Sequence, residues 1–209
     1  MQRYFIIGTD TDCGKTYVTC ELLKQSKKTI AIKPIESGGT FDADLLAKHQ
    51  PHYTKPLSRY NFEPAISPHL AAAEANQTIT FDALDTFCDA PEFEAYQTLL
   101  IETTGGIMCP LNHTQTWLDY LAYKKASVIF VVGIRLGCLN HALLTAHALK
   151  THQISCAGWI ANICDPNMSH IADNIETLKL KLPYPKLATV TFETAFDTSS
   201  SSTLASVVA

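Results

Sequence analysis

Short apolar runs alternate along the chain with longer segments in which apolar residues recur at helical spacing. The runs cover residues 4–8, 29–33, 99–102, 127–133, 157–162 and 187–192. Most are continuous, which is typical of strands buried on both faces of a parallel sheet. The segments 15–27, 114–125, 139–152 and 169–182 are predicted to be amphipathic helices. This order predicts an α/β fold with a mostly parallel, doubly wound sheet flanked by helices, and ligands at the carboxyl ends of its strands.

Three local patterns refine this picture. The third predicted helix carries an apolar stripe made of Leu139, Leu143, Leu144 and Ala146. Four prolines in residues 51–68 predict an ordered surface excursion, and the serine-rich residues 198–209 predict a flexible tail. With 209 residues, 46% of them hydrophobic and 17% charged, the chain fits one globular domain over residues 1–197.

Composition excludes several classes of function. A net charge of −4 leaves no broad basic face for a nucleic acid. The longest apolar run, residues 126–134, is about half of the ~20 residues that a membrane-spanning helix needs. Residues 1–10 read as a first strand and not as a signal peptide. Seven cysteines without a CxxC pair predict reduced, mostly buried thiols in the cytoplasm, and no zinc site.

The strongest chemical signal is the sequence GTDTDCGKT at residues 8–16, between a predicted strand and a predicted helix. A phosphate-binding loop needs inward-facing backbone N–H groups, a lysine for the β- and γ-phosphates and a hydroxyl for Mg²⁺. Gly14, Lys15 and Thr16 supply these elements in the expected order, which predicts a P-loop NTPase-like fold. The usual first glycine is replaced by Thr9, and Gly8 stands one residue early. The alternative is a tight turn with an exposed lysine.

Further charged residues follow two other predicted strands. Glu102 ends one strand and is a candidate ligand of Mg²⁺, while Lys33 and Ser37 are predicted to project over the same edge as the phosphate loop. Each charged residue has the alternative of a solvated side chain at a strand end. Asp42 and Asp44 open a short helix, where an acid is often only a capping residue.

Six motifs in order resemble the dethiobiotin synthetase family over residues 4–166. They are GTDTDCGKT at 8–16, KPIESG at 33–38, SPHLAA at 67–72, ETTGG at 102–106, RLGCLNHALLT at 135–145 and GWIAN at 158–162. The resemblance implies an ATP- and Mg²⁺-dependent cyclo-ligase of biotin biosynthesis. That family closes the ring of dethiobiotin from 7,8-diaminononanoate and CO₂ through a carbamate and a carbamic-phosphoric anhydride, releasing ADP and phosphate.

The resemblance also implies roles for individual residues. Lys33 and Lys15 match the catalytic lysines, and Ser37 matches a contact to the diamine end of the substrate. The Mg²⁺ ligands are expected to be Thr16, Glu102 and Asp42, with Asp44 as the alternative to Asp42. The nucleotide-binding positions are expected to be Asp12, Cys13, Gly14, Lys15, Thr16, Tyr17, Glu102, Gly105 and Asn162, the last of them reading the adenine base. The substrate carboxylate is expected at a helix N-terminus of a partner subunit, formed by Gly137, Cys138, Leu139 and Asn140, which implies a homodimer.

Two departures and three rival functions remain. Thr103 and Thr104 replace the usual Gly-Ala of the family, and a β-branched residue at 103 is disfavoured if its φ is positive. The loop is then expected to bend differently, or the hydroxyl to take over a backbone contact. Residues 188–191 lack the family's Gly-x-hydrophobic-Pro, which leaves the base contacts open. The rivals are a nucleotide-dependent switch or partitioning ATPase, a ligase with another substrate, and a non-catalytic nucleotide-binding relic.

Overall fold

A computed structural model describes residues 1–191 and the backbone of residues 194–197. The strands are β1 (Gln2–Gly8), β2 (Thr29–Ile32), β3 (Ile35–Ser37), β4 (Tyr60–Phe62), β5 (Thr98–Glu102), β6 (Ser127–Ile134), β7 (Ser155–Ile163), β8 (Lys186–Thr191) and β9 (Thr194–Asp197). The helices are α1 (Lys15–Gln25), α2 (Phe41–His49), α3 (Pro68–Glu74), α4 (Phe81–Cys88), α5 (Trp117–Tyr123), α6 (Cys138–Thr151) and α7 (Ile171–Lys181). A 3₁₀ turn covers Pro91–Ala95.

The main sheet confirms the predicted architecture. Its strand order is β2-β5-β1-β6-β7-β8-β9, and all neighbours are parallel except β8 and β9. The chain leaves β1 toward β2 on one side and later adds β6 on the other side. The strand order therefore reverses next to β1, which is where ligands bind in open α/β sheets.

The core confirms most of the hydrophobic pattern. All residues of β2 and β5 are buried, as are Val128 to Ile134 of β6. All six predicted strands are present, although residue 192 lies outside the described residues, as does the predicted flexible tail 198–209. Four of the seven cysteines are buried, which agrees with their prediction as small core residues.

The stripe predicted on α6 was wrong at Leu144, which is 61% exposed. The buried positions of this helix are Cys138, Ala142, Thr145, Ala146 and Leu149. Leu144 lies about 200° around the helix from Ala142, because each residue turns an α-helix by about 100°. Small side chains therefore form most of the packed face, and a leucine faces outward.

The proline-rich segment 51–68 is ordered, as predicted, but it is more than a surface excursion. It contains β4, which pairs in parallel with β3 to form a second, two-stranded sheet. Lys33 N–H donates to the carbonyl of Leu57 at 2.9 Å, and Leu57 is buried. The segment thus holds the chain in place directly after β2. Within the described residues, no helix combines the length and apolarity that crossing a membrane requires.

Candidate active site

The phosphate loop connects β1 to α1 and depends on two close backbone approaches. Gly14 has φ 86°, a left-handed conformation, and a Cβ there would lie 2.0 Å from Asn162 Nδ2. A Cβ on Gly8 would lie 2.4 Å from Cys13 Sγ. A glycine at position 8 therefore leaves room for the side chain of Cys13 where the strand ends under the loop.

Lys15 is held inside this loop. Its side chain is buried, with the residue 6% exposed, and its Nζ donates to the carbonyl oxygen of Asp10 at 3.0 Å. The alternative of an exposed turn lysine is therefore wrong. The carboxylate of Asp10 accepts from the guanidinium of Arg135 at 3.0 Å, and Arg135 also donates to the carbonyl of Thr11 at 3.4 Å.

A cluster of charged residues lies beside the loop, at the ends of β2 and β5. Lys33 Nζ contacts Glu102 Oε1 at 2.9 Å and also pairs with the carboxylate of Asp42. The hydroxyl of Thr16 donates to the same Glu102 Oε1 at 2.6 Å. Lys33 is 4% exposed and Glu102 is 0% exposed. The solvated alternatives for both residues are therefore wrong, and the predicted convergence of the strand ends on the phosphate loop is confirmed.

The electrostatics of this cluster favour a charged Lys33. Burial on its own lowers the pKa of Lys33, but the nearby carboxylates of Glu102 and Asp42 outweigh it and hold the pKa above the ordinary lysine value. Glu102 Oε2 is buried and has no hydrogen-bond partner in the described part of the chain. A buried carboxylate oxygen without a partner is costly, so this atom is suited to a cation or to water brought in with a ligand.

The neighbouring α2 supplies one aspartate to the cluster. Asp42 reaches Lys33, whereas Asp44 is exposed and accepts from the hydroxyl of Thr40 at 2.9 Å. The buried carboxylate of Glu36 caps this helix, accepting from the backbone N–H groups of Asp42 at 2.8 Å and Ala43 at 2.9 Å. Burial raises the pKa of Glu36, although these amides pull it the other way. Glu36 thereby sets the position of Asp42.

Two cavities meet at this edge of the sheet. The first, the loop cavity, has a volume of about 460 Å³ and is lined by Gly14, Lys15, Thr16, Lys33, Asp42 and Glu102 among others. The second, the neighbouring cavity, has a volume of about 570 Å³ and includes Ser67, Cys109, Met108 and Thr145 in its wall. Thr11, Ser37, Thr104 and Gly105 line both cavities. A ligand in one cavity therefore abuts a ligand in the other.

The unusual Thr103-Thr104 pair is accommodated without strain at 103. The left-handed conformation in this loop falls on Gly105, with φ 67°. The buried Thr103 donates to the carbonyl of Ile6 through both its hydroxyl, at 3.1 Å, and its backbone N–H, at 3.0 Å. The hydroxyl of Thr104 donates to the carbonyl of Ile35. The backbone N–H of Thr103 keeps its own bond, so its hydroxyl adds a contact and does not take over a backbone contact as expected. These bonds tie the loop to β1 and β3.

Other predicted residues lie around the cluster rather than in it. Asn162 is buried under the loop, and its Nδ2 donates to the carbonyl of Cys13 at 2.9 Å. The hydroxyl of Tyr17 donates to the carbonyl of Thr191 at 3.2 Å. Asp12 lines the loop cavity and has φ 56°.

The predicted carboxylate site at 137–140 forms the start of α6, where Gly137 has φ 90°. Among the residues that line the two cavities, none belongs to 137–140.

Sequence reasoning missed Arg135, Asp10 and Glu36. Glu36 and Arg135 lie inside the motifs KPIESG and RLGCLNHALLT. The residues that they bind come from segments whose placement cannot be predicted from hydrophobic periodicity. An acid between Ile35 and Ser37, inside a short segment that follows a buried strand, was an available signal for Glu36.

Relatives of known name show the family to which the chain belongs. The chain is 43% identical to the ATP-dependent dethiobiotin synthetase of Legionella pneumophila (strain Corby), over 90% of this chain and 92% of the relative. A family model described as an AAA domain matches residues 2–199. The chain belongs to the dethiobiotin synthetase family. Another member, from Pseudoalteromonas translucida, is 41% identical over 90% of this chain and 89% of its own length. The family match thus extends past residue 166, where the resemblance seen in the sequence motifs ends.

Solved structures place this dethiobiotin synthetase family member among P-loop NTPase folds. The MinC:MinD cell division complex of Aquifex aeolicus aligns with a TM-score of 0.58 at 12% identity, covering 92% of this chain and 82% of that one. A ParA family ATPase from Chlorobium tepidum aligns with a TM-score of 0.52 at 14% identity, covering 92% and 84%. At such identities the likeness concerns the fold alone. Membership of a synthetase family decides against the switch alternative.

Proposed function

We propose that the protein closes the ring of dethiobiotin from 7,8-diaminononanoate, CO₂ and Mg·ATP, releasing ADP and phosphate. Family membership supports the overall reaction, since the curated relatives are named ATP-dependent dethiobiotin synthetases. The observation that carries the proposal is the buried Lys33, whose Nζ lies 2.9 Å from Glu102 beside the phosphate loop. A protein that only binds and hydrolyses a nucleotide does not need a second buried lysine at this place.

The proposed reaction has three steps. One amine of the diamine takes up CO₂ as a carbamate, whose oxygen then attacks the γ-phosphoryl group and expels ADP. The second amine attacks the resulting carbamic-phosphoric anhydride, the ring closes, and phosphate leaves. Such chemistry depends on positioning, on charge stabilisation and on the exclusion of water from the anhydride.

In this mechanism the two lysines neutralise negative charge. Lys15, inside the loop, contacts the β- and γ-phosphates and the carbamate. Lys33 lines the same loop cavity and stabilises the charge that develops on the carbamate and the transferred phosphoryl group. Ser37 lines both cavities, so its hydroxyl is suited to hold the diamine end of a substrate that spans them.

The residues of the cluster fit Mg²⁺. Thr16, Glu102 and Asp42 line the loop cavity and provide one hydroxyl and two carboxylates, the hard oxygen donors that Mg²⁺ prefers. Within the described residues Glu102 Oε2 has no hydrogen-bond partner, so this oxygen is available to a cation. When bound with ATP, Mg²⁺ neutralises phosphate oxygens and aligns them for transfer. No group of three or more His, Cys, Asp or Glu side chains in the described ranges is arranged to hold a metal, so phosphate oxygens and water would complete the coordination.

We further propose a cytoplasmic homodimer in which each subunit completes the site of the other. Gly137, Cys138, Leu139 and Asn140 begin α6, and the free N–H groups of a first helical turn bind carboxylates well. Since these residues line neither cavity of their own chain, they suit the carboxylate end of a substrate held by the partner. Three large apolar side chains are also exposed. Leu136 and Leu144 are close in sequence to the start of α6 and are 92% and 61% exposed, and Met108, in the wall of the neighbouring cavity, is 61% exposed.

The proposed contacts to the nucleotide come from the phosphate loop and from residues close to it. Asp12, Gly14, Tyr17 and Gly105 line the loop cavity, and the backbone groups of Asp12, Gly14 and Gly105 are proposed to contact the phosphates. Cys13 is buried beneath the loop and is proposed to contribute through its backbone N–H alone. Asn162 is proposed as the contact to adenine. Its bond to Cys13 uses Nδ2, and its carbonyl oxygen is then the group that would accept from the base.

The test is phosphate release by the purified protein in Mg·ATP and bicarbonate, with and without 7,8-diaminononanoate. We expect release only with the diamine. Lys33→Ala should lose turnover by at least about 100-fold while still binding nucleotide, because removal of one charge-stabilising group costs that much. The matched control Lys179→Ala removes an exposed lysine of α7. Turnover without diamine would favour a switch, and turnover with a different diamine alone would indicate a ligase with another substrate.

A further inference from the structure

Ser67 stands at the N-cap position of α3 but does not cap the helix. Serine is favoured at this position because its oxygen accepts from the first free N–H groups, yet the Ser67 side chain makes no such bond. Its hydroxyl lies instead 2.9 Å from Nδ1 of His69, two residues further on. Helix capping therefore does not explain the orientation of this side chain.

Ser67 lies in the wall of the neighbouring cavity, close to the junction with the loop cavity. Cys109 lies in the same wall; burial raises the pKa of its thiol, and the nearby Ser67 hydroxyl opposes the rise. Cys109 in turn packs against Gly105, where an added Cβ would lie 3.4 Å from the sulfur. Because Gly105 lines both cavities, the hydroxyl of Ser67 is one side chain away from the place where they meet.

On its other side, His69 lines a third cavity of about 280 Å³ that also includes Asn112 and His113. The rings of His69 and His113 are 6.4 Å apart and perpendicular, and His113 is exposed. The half-buried imidazole of His69 thus lies between the neighbouring cavity, which Ser67 lines, and the third cavity, which the exposed His113 lines. A serine and a histidine in contact between two cavities form a path along which a proton can move.

The proposed reaction produces such a proton. When the second amine attacks the anhydride, an N–C bond forms and the bond from carbon to the phosphate oxygen breaks, with its electron pair leaving on phosphate. The attacking nitrogen becomes part of a ring urea and must lose one proton. General acid–base groups that accept this proton in the transition state accelerate the step.

We propose that Ser67 and His69 form a proton relay that carries this proton away from the attacking amine. The amine gives its proton to Ser67 Oγ as the hydroxyl proton of Ser67 passes to Nδ1 of His69. His69 then releases a proton from Nε2 toward the third cavity and returns to its neutral form. The relay rests on the proposed function, and it uses the tautomer of His69 that carries its proton on Nε2. The titratable side chains that face the pair among the described residues are Cys109, next to Ser67, and His113, next to His69.

The test compares His69→Asn with the wild type in a single turnover, with enzyme in excess over diamine, by the rate of dethiobiotin formation. Asparagine keeps an oxygen that accepts from Ser67 but cannot take up a proton. We expect a loss of about 10- to 100-fold in this rate at pH 7, the loss of the acidic limb of its pH profile, and partial rescue by added imidazole. The KM for Mg·ATP and the melting temperature should stay near wild type. His152→Asn, at an exposed histidine after α6, is the matched control.

Two results would overturn the relay alone: a wild-type rate in His69→Asn, or a reduced rate whose pH profile keeps its acidic limb and does not respond to imidazole. The second result would assign the pair a merely structural role. Ser67→Ala provides an independent check, because it must slow the same step, and in the double variant with His69→Asn it must abolish the rescue by imidazole; a normal rate in Ser67→Ala also overturns the relay. A wild-type protein that forms no dethiobiotin would instead overturn the proposed function, and the relay with it.

Discussion

Replacing Lys33 with methionine removes the cation between Glu102 and Asp42 while keeping most of the side chain's length. Without Lys33, the fully buried Glu102 retains the Thr16 hydroxyl, at 2.6 Å, as the hydrogen-bond donor to its Oε1 in the described part of the chain. Removing one partner of a buried ion pair costs about 3–5 kcal/mol, because the remaining charge is left uncompensated. Asp42 has a third of its side chain exposed and adds less, so we expect about 3 kcal/mol for the whole substitution.

The measurement is the free energy of unfolding from urea titration, supported by the melting temperature. For a domain of this size about 3 kcal/mol corresponds to a drop of roughly 6–12 °C. The raised pKa of Lys33 sets the pH range: its contribution is complete below the ordinary lysine pKa and is lost only as the pH rises through the raised value. The difference between variant and wild type should therefore be constant from pH 6 to pH 9.

Two further variants make the result specific. Lys179→Met removes a lysine from an exposed pair with Glu176 on α7, and such pairs contribute less than about 1 kcal/mol. The double variant Lys33→Met, Glu102→Gln should recover most of the lost stability, since it removes the stranded charge as well. If Lys33→Met is no less stable than Lys179→Met, the buried charge of Glu102 does not depend on Lys33, and the electrostatic account of the cluster is refuted.

Three other substitutions test the surroundings of the cluster. Gly14→Ala should abolish nucleotide binding, measured by calorimetry, whereas Gly39→Ala should bind normally, because both residues have positive φ but only Gly14 has a side chain within reach of an added methyl group. Replacing Thr103-Thr104 by Gly-Ala should lower stability by about 2 kcal/mol through two lost hydrogen bonds and bring no gain in rate; a large gain would mark the natural loop as impaired. The pKa of Glu36 is raised, so the folded state binds its proton more tightly and loses stability as the pH rises from the ordinary glutamate value of 4.5 through the raised one. Glu36→Gln should remove this slope in melting temperature above the ordinary glutamate value, and an unchanged slope would contradict the assignment.

Much of the site could be predicted because parallel strands deliver their ends to one edge. Continuous apolar runs fixed the positions of β1, β2 and β5, so Lys33, Glu102 and the phosphate loop had to come together. Their convergence required no knowledge of the loops. The choice between Asp42 and Asp44 did require it, because both open the same helix and only its docking by Glu36 selects one.

The parts of the fold that could not be predicted are short strands and long connecting segments. β3 and β4 have three residues each, too few for any period to appear. Thr80 was an available signal, since a threonine before the apolar pattern of α4 predicts an N-cap, and its hydroxyl does accept from the backbone of Ala83. The Ser67–His69 contact could not be predicted from the sequence either, and the same holds for the partners of Arg135. It depends on the direction of the Ser67 side chain, which does not cap its helix.

The bonds of Arg135 connect two places that the proposed dimer assigns to different active sites. Its carbonyl accepts from the N–H of Cys138 at the start of α6, while its guanidinium grips Asp10 and Thr11 in the phosphate loop. Asp10 in turn holds the ammonium group of Lys15 through its carbonyl. A displacement of the α6 terminus by a carboxylate in the neighbouring subunit's site would therefore pull on the cradle for ATP in its own. The two halves of such a dimer would not turn over independently, since one arginine side chain links the occupancy of one site to the shape of the other.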